Sequence, residues 1–90
     1  MSVYLVLVEK IIPSASSGAG KVESKITSLG GVSIGGSSFL LKSNSTAHEI
    51  FSELRPFILD TDRMYVFPIS KNYFGWGSPS VWDWLQKNVP

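Results

Sequence analysis

The side chains that could do chemistry in this sequence are a few carboxylates, one imidazole, a scatter of cations and a late crowd of aromatic rings. Asp60 and Asp62 form a close acidic pair, and the turn chemistry of short carboxylates accounts for both. His48 is the single histidine. With no cysteine, no serine elbow and no second imidazole, neither a nucleophilic triad nor a dedicated zinc site is expected, and His48 reads as a surface helix residue. Ser17-Gly18-Ala19-Gly20-Lys21 has the look of a phosphate loop feeding a helix N-terminus. It departs from the Walker pattern, with Ala15 where the first glycine belongs and Val22 where Ser or Thr belongs, so the stretch reads as a Gly/Ser connector. Arg55, Arg63, Lys42 and Lys71 are candidates for a phosphate-contacting stripe. Tyr73, Phe74, Trp76, Trp82 and Trp84 crowd the C-terminal stretch, which holds all three tryptophans. Exposed, such rings stack on bases. Buried, they cover an open sheet face or edge or make a dimer contact, and a short chain needs that burial. Trp76 and Trp82 are the aromatic candidates for a nucleic-acid or partner contact.

Composition narrows the classes. Ninety residues allow one domain, 1–90, and no second core. Apolar residues at 43% and charged residues at 17% exclude a disordered charged tail. A formal net charge of +1 excludes a strongly basic nucleic-acid coat protein, so any cationic stripe must be local. With no cysteine, packing or oligomerisation must supply the stability. The apolar run Val3–Val8 is too short to span a bilayer and lacks the basic lead of a signal segment. It predicts a buried strand, and the chain is expected to be cytoplasmic.

The elements that must position these residues follow from periodicity. Val3–Val8 is a β-branched strand. Lys10–Gly20 reads as a loop. Val22, Ile26 and Leu29 lie at helical spacing, and Gly30-Gly31 closes that helix. Val32–Ile34 and Ser37–Lys42 read as a hairpin about Gly35-Gly36. Thr46 with Glu49 matches the capping box, and Ala47, Ile50, Phe51 and Leu54 form the stripe of a second helix ending near Pro56. Arg63–Ile69 is a fourth strand, and Pro68 favours an edge position or the end of the pairing. Ser78-Pro79 opens a short last helix. The order β-α-β-β-α-β predicts an α+β, ferredoxin-like fold with a C-terminal aromatic extension, 71–90.

Several of these segments resemble the CRISPR-associated Cas-two family, and more closely its SinR-like relatives. The first strand opens with Val3-Tyr4-Leu5-Val6, the third carries Ser37-Ser38-Phe39-Leu40-Leu41-Lys42-Ser43, and the second helix carries Ser45-Thr46-Ala47-His48-Glu49-Ile50 and Leu54-Arg55-Pro56. Asp60-Thr61-Asp62-Arg63-Met64-Tyr65-Val66 is similar to the fourth-strand entry, and Trp76-Gly77 with Trp82-Asp83-Trp84-Leu85-Gln86-Lys87-Asn88 to the SinR-like C-terminal signature. The resemblance implies a dimer that holds DNA and bridges copies of the Cas-one integrase. It also implies a metal residue at the end of the first strand, where the family has Tyr-Asp. Val8-Glu9 stands there, making Glu9 the one candidate Mg²⁺ ligand.

That departure points away from catalysis. The expected function is a non-catalytic, Cas-two-like homodimeric nucleic-acid-binding or scaffold protein, with DNA or RNA or a protein as partner. The alternative is a small interaction or ligand-binding protein of phage or mobile-element origin. A Mg²⁺-dependent nuclease using Glu9 ranks behind both. No catalytic residue and no cofactor is assigned beyond that Mg²⁺.

Overall fold

The computed structural model describes residues 1–9 and 21–89. The connector over 10–20, including the Gly/Ser stretch, lies outside the described residues. The elements run β1 (Ser2–Glu9), α1 (Lys21–Ser28), β2 (Val32–Gly35), β3 (Ser38–Ser43), α2 (Ala47–Leu54), a 3-10 turn (Arg55–Phe57), β4 (Arg63–Ile69) and α3 (Pro79–Asn88). The strands form one antiparallel sheet in the order β2-β3-β1-β4. This small α+β architecture is compatible with the ferredoxin-like arrangement expected from the sequence.

β1 is buried on both faces because it is central. Its even positions, Tyr4, Val6 and Val8, join Phe39, Leu41 and Met64 beneath α1 and α2, which contribute Val22, Ile26, Ile50 and Leu54. Its odd position Val3 joins Leu40, Leu85 and Val89 on the opposite face. Each of these larger apolar side chains contributes about 1.5–3 kcal/mol by leaving water. The two-period of the strand therefore feeds two cores. α3 covers part of the second face, supported by Leu5, Val32, Ile34, Ile69, Tyr73, Val81, Trp82 and Trp84. The architecture thus has helices on both faces of the sheet.

Local chemistry fixes the ends of the elements. α1 stops in a Schellman motif: Gly31 N–H donates to Ile26 C=O at 2.9 Å and Gly30 N–H to Thr27 C=O at 3.0 Å. Gly30 has φ +94°, which favours glycine. Gly31 lies so close to the helix that a Cβ would stand 2.5 Å from Ile26 Cγ2 and 2.9 Å from its carbonyl oxygen. The β2–β3 turn falls on Gly36-Ser37, one residue later than the sequence indicates, because Gly35 stays in β2 within a register irregularity. α2 opens with the capping box: Thr46 Oγ1 accepts from Glu49 N–H at 3.1 Å and Glu49 Oε1 accepts from Thr46 N–H at 2.8 Å. Ser78 precedes α3, with Pro79 in the first turn, but its hydroxyl bonds Ser80 rather than the helix backbone.

One backbone detail sets the character of the open edge. Val8 N–H donates to Ser37 C=O, so the even residues of β1 bond towards β3 and the odd ones towards β4. Glu9, Leu7, Leu5 and Val3 then bond with Arg63, Tyr65, Phe67 and Ile69. The main-chain groups of Met64, Val66 and Pro68 point outward. Pro68 sits where its missing N–H costs β4 no bond to β1.

Candidate functional site

The expected cationic stripe divides between the two ends of the sheet. Arg63 starts β4 opposite Glu9, whereas Ile69 ends it opposite Val3, and Val3 also stands opposite Lys42. Lys71 follows two residues beyond Ile69. Arg63 and Lys71 are therefore separated along the strand by more than about 20 Å at the usual strand rise. Arg55 belongs with Arg63: it leaves the 3-10 turn next to the 58–63 connection, bonding the Ile58 carbonyl at 3.2 Å and pairing with Asp60.

At the arginine end, each guanidinium has a carboxylate. Arg63 lies 3.8 Å from Glu9, with both side chains more than half exposed, so the pair contributes little to stability. Asp62 supports the turn: its Oδ2 accepts from Leu59 N–H at 2.9 Å, and its own N–H donates to Leu59 C=O. Its Oδ1 is buried and has no hydrogen-bond partner among the described residues. Phe51, Arg55, Ile58, Asp60, Asp62 and Arg63 line a depression of about 310 Å³ between α2 and β4, completed by Met64 and Tyr65.

Glu9 was the metal candidate. It is one exposed carboxylate at a strand end with a guanidinium beside it, which does not fit a Mg²⁺ site within one chain. Among the described residues, no group of three or more His, Cys, Asp or Glu is placed to share an ion. His48 is exposed on α2. Its neighbour Glu49 titrates below the ordinary carboxylate range, held there by the Thr46 backbone N–H, then the Thr46 hydroxyl, with His48 adding a smaller pull.

At the lysine end, Lys42 and Lys71 are exposed, and the loop after Lys71 carries Phe74 and Trp76 fully exposed. Trp82 has a different setting. It is half-buried, stacks on Tyr73 at 5.9 Å between ring centroids and packs with α3 against the sheet. The five late aromatics thus divide into Tyr73, Trp82 and Trp84, which cover the sheet, and Phe74 and Trp76, which face water.

Sequence reasoning missed two features. Tyr65 and Phe67 lie 45% and 48% exposed on the part of the second face that α3 leaves open, stacked at 6.1 Å and 7°. Phe51, read as core, is 36% exposed at the rim of the depression. β4 is apolar at almost every position, so its periodicity carried no sign of which face stays uncovered. Among the described residues, no helix is long and apolar enough to cross a membrane. No family model, curated protein or solved structure matches this chain.

Proposed function

We propose that this chain is a ferredoxin-like, Cas-two-like homodimeric protein that binds nucleic acid without cleaving it. The sheet end bearing Lys42, Lys71, Phe74 and Trp76 is its working surface. The observation that carries the reading is the pair of fully exposed rings, Phe74 and Trp76, on the loop that leaves Lys71. A large ring held wholly in water gains by stacking on a base, and a nearby lysine gains by replacing a phosphate counterion. The non-catalytic part rests on Glu9, whose carboxylate has Arg63 as its neighbour.

Tryptophan emission during titration with a labelled single-stranded oligonucleotide, at low and at high salt, tests the reading. Saturable quenching is expected, weakening steeply with salt and lost in Trp76→Ala. Binding that survives in Trp76→Ala and in a Lys42→Ala/Lys71→Ala double variant, or no binding at low salt, would displace it in favour of a protein-interaction role.

A further inference from the structure

We propose that, on the nucleic-acid reading of the lysine end, the loop over 72–77 takes single strand in preference to duplex, with one unstacked base on Phe74 and a neighbouring base on Trp76. Three observations meet there. The first is how the loop presents its rings. The chain runs over 72–78 without a turn or bend. Tyr73 stacks on Trp82 at 5.9 Å between ring centroids, and a Cβ on Gly75 would stand 3.8 Å from the same indole. The odd positions therefore rest on Trp82, and the even ones, Phe74 and Trp76, project into water.

The second is the freedom of both rings, which touch no other ring among the described residues. In a duplex each base face is covered by its neighbours at about 3.4 Å along the strand. A side-chain ring finds a free face only where bases are unstacked. Alternate residues of an extended chain lie about 6.6 Å apart, roughly twice that stacking distance. Two rings so spaced cannot follow the bases of a helical stack, but each can take one base of a drawn-out strand.

The third is charge. Lys42 and Lys71 have no carboxylate within ion-pair distance among the described residues, whereas Lys25, Arg55, Arg63 and Lys87 each have one. The next carboxylates along the chain are engaged, Glu49 with the Thr46 N–H and Asp83 with Lys87 at 4.0 Å. Lys42 lies opposite Val3, on the α3 side of the sheet, where Tyr73 anchors the loop, and Lys71 leads into that loop. Two unneutralised cations beside the rings favour a strand of phosphates as the occupant.

The test compares three end-labelled ligands against the full chain by fluorescence anisotropy at low salt. They are a short mixed-sequence DNA strand, its duplex, and a strand of the same length that is abasic throughout and so keeps the phosphates without the bases. The intact single strand should bind at least about tenfold more tightly than the other two, the worth of one stacked base. Phe74→Ala and Trp76→Ala should each weaken the single strand by about tenfold and leave duplex and abasic binding unchanged. Both rings are fully exposed, so neither variant threatens the fold. A Lys42→Ala/Lys71→Ala double variant should weaken all three ligands alike. The proposal is overturned if the duplex or the abasic strand binds as tightly as the intact strand, or if both ring variants bind the single strand as the parent does. Each of these outcomes leaves a lysine-dependent nucleic-acid surface standing. No binding of any of the three ligands overturns both that surface and the proposal.

Discussion

Thr46 and Glu49 are the residues whose energetics follow most directly from geometry. Their reciprocal bonds satisfy two backbone N–H groups at the start of α2 that would otherwise lack helical partners. Thr46→Ala should cost about 1 kcal/mol in a denaturant melt. The Thr46 backbone N–H, and after it the Thr46 hydroxyl, favour the ionised form of Glu49, so its folded pKa lies below its ordinary value of 4.5. A depressed folded value means that the stabilisation is complete above the ordinary value and fades as pH falls through the folded one. Carboxyl carbon shifts followed by NMR should place the Glu49 midpoint below the normal range. In Thr46→Ala it should return only part of the way, because the backbone N–H that supplies the largest pull remains. A Glu49 midpoint at the ordinary value in the parent chain would show that the Thr46 bonds do not govern the titration.

Among the elements, α3 has the least expected role. The aromatic extension reads from sequence as cover for an open face or edge, and in the structure it is a helix whose Leu85 packs with Val3, Leu40 and Val89. Leu85→Ala leaves a void in that second core and should cost about 2–3 kcal/mol. Trp76→Ala removes a fully exposed ring and should stay within about 0.5 kcal/mol of the parent. Thermal melts of the two variants separate packing from display: equal losses would mean that Trp76 is packed. The strand edges are blunted in two different ways, β2 by its four-residue length and irregular register, β4 by Pro68. Neither removes the edge.

For the whole molecule, the proposed homodimer turns on the distribution of apolar surface. α3 leaves part of the second face open, and there Tyr65 and Phe67 sit stacked opposite Leu7 and Leu5 of β1. A two-fold partner across that face would remove the stacked pair from water and leave the lysine end accessible. Sedimentation at micromolar concentration should give about twice the 9.9 kDa chain mass. Phe67→Asp, altering a side chain that is 48% exposed, should yield a folded monomer. A parent chain that sediments as a folded monomer would refute the dimer.

Local rules made the elements legible without coordinates. The capping box at Thr46, the glycine pair closing α1, Pro68 on an edge strand and Ser78-Pro79 before α3 each depend on neighbours within a turn or two, so residue type and spacing suffice. The Val22–Ile26 and Ile50–Leu54 stripes were equally plain, because helical periodicity names a buried face wherever polar residues fill the others. Long-range facts were not legible. Whether Arg55 and Arg63 join Lys42 and Lys71 depends on strand register, which places them at opposite ends and hands each arginine a carboxylate. Which aromatics pack depends on where α3 docks: it carries Trp82 and Trp84 against the sheet, while Phe74 and Trp76 face water. Which apolar side of β4 faces water depends on how much sheet a ten-residue helix can cover. The elements and their order can be read along the chain, because bonds and packing within a few residues set them. The surfaces emerge with the fold, because they are what remains after distant elements have paired.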